Sequence, residues 1–242
     1  MVIYIATFVI TIIFWLWIIR KFDRFEREPL KNILFVFIAG GLLSIIPAGL
    51  FNGLFAWMIG YGFEPGSDAG IGFGRLLWFY GFVGFNEEFW KALATIILIR
   101  RMKSFNEPAD ALVYSMTVAF GFSVIENIEY TLKLGYPVFW VRQFNAVPLH
   151  VGLAAIWGIG IAKVRFSNAP SYLSRVMPYI LIAAFLHFIY NIAATRIFNT
   201  ALSLLIPTVI AFFLILFAIR RVKKYSEEGP FRDGLGDGVS DA

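Results

Sequence analysis

Two carboxylates and an ammonium sit inside an apolar run long enough to cross a bilayer, and this conflict constrains the chain more than any other feature. The run extends from Leu76 to Ile99, and its middle reads Asn86-Glu87-Glu88-Phe89-Trp90-Lys91. A charge at bilayer depth costs roughly 2.5–3.5 kcal/mol on insertion scales, so three within two turns require partners and a purpose. On a helix, Glu87 and Lys91 are spaced i,i+4 and Glu88 and Lys91 i,i+3, so one lysine can neutralise one carboxylate and leave the other available. The spacing does not say which glutamate is left. The expectation is an active-site helix buried in a membrane.

The composition requires the membrane. Hydrophobic residues make up 59% of the chain and charged residues 15%, far more apolar than a soluble domain of this length. There is no cysteine, which excludes disulfides, thiolate metal ligands and a cysteine nucleophile. A net charge of +5 would suggest nucleic acid in a soluble protein. Here the basic residues lie between apolar spans and report topology instead, so no nucleic-acid partner is expected.

Seven spans are expected, at about Val2–Ile19, Asn32–Met58, Leu76–Ile99, Asp110–Leu132, Ala146–Ala162, Met177–Ile197 and Ala201–Ile219. The first, without a positive n-region or a small-residue cleavage site, reads as a retained helix rather than a signal peptide. The second should tilt or bend near Pro47. Of the 21 Lys and Arg, all but Lys91 and Arg75, Lys133, Arg142 and Arg196 fall in alternate loops and the tail. That bias places the amino terminus outside and the carboxyl terminus in the cytoplasm. The fold class is thus all-α and polytopic: one transmembrane domain over 1–225, then a Gly/Asp-rich tail over 226–242 expected to be disordered.

The remaining polar residues converge in depth. At 1.5 Å of rise per residue, Glu87, Glu88, Glu126, His150 and His187 fall within roughly 8 Å of one another in the outer half of the bilayer. Asn191 lies one turn below His187 on the same face. Lipid gives such groups no partner, so they should face a shared interior. Glu129, at i,i+4 from Lys133, reads as an interfacial pair instead. Carboxylates and imidazoles around a water suggest hydrolysis. Either a buried glutamate takes the water's proton, or His150, His187 and a carboxylate such as Glu126 hold zinc with an open position. No His-Glu-x-x-His helix and no Gly-x-Ser-x-Gly is present, which removes the zincin arrangement and the serine elbow.

Glu87-Glu88-Phe89-Trp90-Lys91, Phe122-x-x-x-Glu126-Asn127 and His187-x-x-x-Asn191, in order on separate helices, resemble the PrsW family of bacterial intramembrane proteases. CAAX prenyl proteases and bacteriocin-processing enzymes are more distant likenesses. The resemblance covers about Gly81 to Asn191. It implies a multi-pass plasma-membrane protein of a bacterium or archaeon that cuts single-pass membrane proteins near the extracytoplasmic surface, an anti-sigma factor for example. It implies that Glu87 or Glu88 activates water together with Glu126, that His187 and Asn191 bind the oxyanion, and that Lys91, Asn127 and His150 support them. Glu126 stands where the CAAX-type pattern has a histidine, and Lys91 where an arginine lies one residue later, which favours PrsW and disfavours prenylated substrates. Whether zinc takes part is left open by these motifs. A different class of protein, a proton-coupled transporter with a Glu/His relay, would use the same residue types. Against it, the sequence has no internal repeat and no matching pair of interrupted helices.

Overall fold

The computed structural model describes residues 2–21, 23, 26–62, 72–166, 172–194 and 200–230. Among these residues the chain forms eight helices and no strand: α1 (Val2–Lys21), α2 (Leu30–Ile59), α3 (Phe73–Ile99), α4 (Pro108–Leu134), α5 (Tyr136–Phe144), α6 (Ala146–Arg165), α7 (Tyr172–Ala194) and α8 (Thr200–Glu227). Five segments are long and apolar enough to cross a membrane: α2, α4, the run Tyr136–Arg165 that joins α5 to α6, α7, and Ala201–Glu227. α3 has the length as well, but carries Glu87, Glu88 and Lys91 at its middle. The all-α, polytopic expectation holds.

α6 is the axis of the bundle. Every residue from Ala146 to Ala162 is buried, as is every residue of α4 from Ala109 to Val124, so these two helices are apolar on all sides and are wrapped by the others. α2, α3 and α7 close around them. Their outer faces expose Leu50, Trp57, Trp78 and Phe185, and α8 exposes Phe213, a belt that only lipid can solvate.

Between helices in lipid there is little hydrophobic drive to associate, so close packing of small residues must do that work. Gly84 on α3 is such a point. A Cβ there would meet the Ala184 carbonyl oxygen of α7 at 2.8 Å and the Phe188 nitrogen at 3.1 Å. At Gly81, one turn earlier, a Cβ would be 4.0 Å from the nearest Phe188 atom, which leaves room. The contact at Gly84 lies one turn before the glutamates, and brings His187 of α7 against them.

The expected spans agree with the helices to within a few residues except in three places. α8 runs on through Arg220, Arg221, Lys223 and Lys224 to Glu227, because basic side chains at a membrane edge extend a helix as readily as they end a span. Second, residues 226 and 227, placed in the expected tail, are the end of α8; the tail beyond residue 230 lies outside the described residues, as do Arg196 and positions 63–71 of the loop after α2. The third difference is α5, which no span anticipated. Gly135 ends α4 with φ of 89°, a left-handed conformation that costs glycine little, and the chain turns straight into this short helix.

Gly84→Ala is expected to push α7 off α3, lower the unfolding temperature by several degrees through overpacking of about 1–3 kcal/mol, and reduce activity. Unchanged stability and activity would show that α7 is not held there.

Candidate active site

α3 supplies the centre. Glu88 and Lys91 have no exposed side-chain surface, and Lys91 Nζ lies 2.8 Å from Glu88 Oε1. Two further donors meet the same carboxylate: His187 Nδ1 of α7 at 2.9 Å from Oε1, and Trp157 Nε1 of α6 at 3.0 Å from Oε2. With three donors Glu88 is a fixed anion. Lys91 also donates to His150 Nδ1 of α6 at 2.8 Å and sits over the Phe122 ring of α4 at 4.2 Å.

These contacts assign the imidazole protons. An ammonium can only donate, so His150 Nδ1 is an acceptor, and its proton is on Nε2, which donates to Glu126 Oε2 at 3.0 Å. A carboxylate can only accept, so His187 carries a proton on Nδ1, and in the neutral ring Nε2 is then a lone pair. That lone pair faces Glu87 Oε2 at 3.9 Å.

Glu87 differs from its neighbour. Its Oε1 accepts from Asn52 Nδ2 of α2 at 3.2 Å, and Asn52 is itself held by Asn86, which also donates to the Ala48 carbonyl. Its Oε2 is 3.5 Å from Lys91 Nζ, yet is buried with no hydrogen bond. A buried acceptor left unpaired costs about 1–3 kcal/mol, and such exceptions mark places where something else binds.

The structure therefore brings Glu87, Glu88, Lys91, Glu126, His150 and His187 into one cluster. Asn127 stands beside it, and its Oδ1 accepts from Arg142 Nε at 2.6 Å. Asn191 is half-buried and has no hydrogen-bond partner among the described residues. Glu129 and Lys133 pair at 2.6 Å on the surface. The sequence reading missed Arg142, whose guanidinium lies 2.7 Å from Glu126 Oε2 and stacks over the Tyr130 ring. It also gave no role to Trp157, Asn52 or Asn86. Arg142 arrives on α5, the helix that went unforeseen.

The group whose atoms could hold a metal ion is Glu87, His150 and His187, with one ligand atom from each within 4.8 Å of the others. This group has Glu87 beside the two histidines where the sequence suggested Glu126; Glu126 Oε2 is engaged by both Arg142 and His150. A second such group, Asp23, Glu107 and Asp110, lies outside this cluster.

A polytopic helical bundle that buries a Glu/His constellation with one open acceptor is the architecture of an intramembrane hydrolase. Comparison with known proteins makes this specific. The chain belongs to the PrsW family: the pattern described as "PrsW family intramembrane metalloprotease" matches residues 28–219. Protease PrsW of Clostridioides difficile (strain 630) is 32% identical over 219 residues, which cover 88% of this chain and 85% of that protein. Protease PrsW of Bacillus subtilis (strain 168) is 28% identical over 204 residues, with 84% and 86% covered. That of Geobacillus kaustophilus (strain HTA426) is 30% identical over 173 residues, with 70% and 69% covered. No solved structure matches. The reaction class is peptide hydrolysis by a bacterial multi-pass membrane protein, and the transporter reading of the same residues gives way to it.

The metal in the family's description can be tested against this site. With all three carboxyls ionised and both imidazoles neutral, Glu87, Glu88 and Glu126 would oppose only Lys91 and Arg142, an excess negative charge that a divalent ion would offset. Glu87 Oε2, which meets Lys91 only as an ion pair at 3.5 Å, and His187 Nε2 are ligand atoms without a hydrogen bond, and two histidines with a glutamate are a known catalytic zinc shell. A His–carboxylate pair behind the ligand, as Glu88 forms with His187 Nδ1, is the usual outer support. The residues fit a divalent metal ion, on condition that His150 exchanges one of its two present hydrogen bonds for it.

Arg142→Ala leaves Glu126 without its guanidinium. Allowing for partial exposure of both side chains, the loss of stability should be on the order of 2–3 kcal/mol, and adding Glu126→Gln should recover much of it. Equal losses in the single and double variants would mean that the pair is not coupled.

Proposed function

We propose that the chain is an intramembrane endopeptidase that cuts single-pass membrane proteins near their extracytoplasmic face, as in site-1 cleavage of an anti-sigma factor. Glu87, His150 and His187 hold the catalytic metal ion, zinc by the character of the donors. The observation that carries this reading is the buried, unpaired Glu87 Oε2 facing the His187 Nε2 lone pair. When bound, the ion supplies Lewis acidity, which acidifies water and polarises a peptide carbonyl.

The chain's own groups do the rest. Glu88, fixed by Lys91 and Trp157, holds His187 through Nδ1, so its Nε2 points at the reaction centre without a proton. Glu126 has both known partners on Oε2, which leaves Oε1 to take the proton from water and return it to the leaving amine. Asn191, free of partners among the described residues, donates to the developing oxyanion. α4, α6 and the aromatic wall exclude bulk water, which strengthens each of these interactions.

One observation favours a metal-free variant of the mechanism: both nitrogens of His150 are already engaged, by Lys91 and Glu126. In that variant Glu87 itself takes the water's proton, and His187 with Asn191 binds the oxyanion. The two separate on metal depletion. Zinc chelation of the purified protein in lipid should stop cleavage and zinc should restore it, whereas the metal-free variant predicts no effect.

Both predict that Glu87→Gln lowers cleavage by at least about 100-fold while the protein stays folded. The measurement is a map of membrane-protein termini from cells expressing the parent chain or the variant. New ends near the outer edges of single spans should appear with the parent only, and full activity in Glu87→Gln would overturn the reading.

A further inference from the structure

At the other end of the bundle, where the loops rich in lysine and arginine lie, three carboxylates from distant parts of the chain meet. Asp23 comes from the loop after α1, Glu107 precedes α4, and Asp110 is in its first turn. All three are fully buried, and one oxygen of each lies within 4.8 Å of the others. This is not the active-site cluster: Asp110 and Glu126 are separated by about 24 Å of α4.

The arrangement lacks what buried carboxylates need. Asp110 Oδ2 accepts from the backbone N–H of Asn106 at 2.9 Å and of Glu107 at 2.8 Å. Asp110 Oδ1 and both oxygens of Asp23 close no hydrogen bond of normal geometry, although the Glu28 carboxyl lies beside Asp110 and the Glu28 backbone beside Asp23. The Glu107 carboxylate faces the Asp110 amide in a capping arrangement, yet neither of its oxygens closes a normal hydrogen bond. Glu26 and Glu28 add negative charge beside them. Arg20 acts on Asp23 through its charge but spends its Nε on the Glu28 carbonyl, and Tyr114 donates to Glu28. Burial first, and then repulsion between neighbours, pushes Asp23 up to about 7 and Glu107 up to about 8. This cost is what one counter-ion at the centre would remove.

We propose that Asp23, Glu107 and Asp110 form a second cation site that takes a hard divalent ion, Mg2+ or Ca2+. The donors are all oxygen, with no imidazole or thiolate, which selects hard ions over zinc. Buried oxygens without partners point inward from each of the three residues. The bound ion ties three segments together. Gly229, just past α8, packs so closely on Glu107 Oε2 that a Cβ there would clash with it, so the end of α8 rests on the same cluster as the loop after α1 and the start of α4. A cytoplasmic ion thereby fixes the helix that carries Glu126.

The test uses the full-length protein in lipid nanodiscs with Glu87→Gln, which weakens the membrane metal set, and Mn2+ as the probe. Electron paramagnetic resonance should report one saturable Mn2+ per chain, displaced by Mg2+ or Ca2+, and the ion that displaces at lower concentration is the one the site prefers. Adding Glu107→Gln or Asp23→Asn should weaken Mn2+ at least tenfold. In the protein without those two changes, the preferred ion should raise the unfolding temperature by several degrees. No saturable binding to the folded protein would overturn the proposal, as would binding that neither variant weakens. So would an unfolding temperature that follows pH but ignores the ions, because protons alone would then neutralise the cluster. Should Asp23→Asn fail to fold, Glu107→Gln and the titration of the Glu87→Gln protein decide.

Discussion

The ion pair between Glu88 and Lys91, with neither side chain exposed, is the constraint that the rest of the bundle satisfies. Removing either partner of such a pair costs about 3–5 kcal/mol, because the survivor is left charged without water. The pair is tolerable in a membrane only if every remaining lone pair and proton is also met. Each surrounding helix contributes to that. α6 brings Trp157 and His150, α7 brings His187, and α4 brings Phe122, on whose face the ammonium rests. Gly84 lets α7 come close enough to take part.

Against this saturated hub, the adjacent residue stands out. Glu87 is one position away and also buried, yet keeps an acceptor without a hydrogen bond. The two glutamates thus divide their work by environment: one anchors, the other is open to a ligand. An unpaired acceptor in a low-dielectric interior is a cost that a fold retains where binding or chemistry needs it. The acidic cluster at the opposite end follows the same logic with different donors.

Much of this was legible in the sequence, for a physical reason. Charges in an apolar run are so costly that Glu87, Glu88 and Lys91 announced a shared interior, and helix rise put Glu126, His150 and His187 at their depth. What depth does not give is the order of neighbours around the axis. Arg142 read as a marker of topology because a nine-residue helix beginning Tyr-Pro is too short to register as a span, and only the turn at Gly135 returns it to Glu126. Trp157 was one of seven tryptophans in a chain with 27 phenylalanines, and aromatic abundance hid the one indole N–H that meets Glu88. Glu126 was offered as a metal ligand from residue type alone, and the guanidinium at its Oε2 comes from the unseen helix. Asp23 and Glu107 are far apart in the chain, and each looked like ordinary loop polarity until folding buried both.

The central claim is that Glu87, His150 and His187 together hold a metal ion at the reaction centre. The most direct measurement is zinc-edge X-ray absorption on the purified, cleavage-competent protein in lipid. The account predicts about one zinc per chain, bound by two imidazoles and carboxylate or water oxygens at about 2.0–2.1 Å, and lost in His187→Ala. A protein that cleaves its substrate at full rate with no transition metal bound would contradict it.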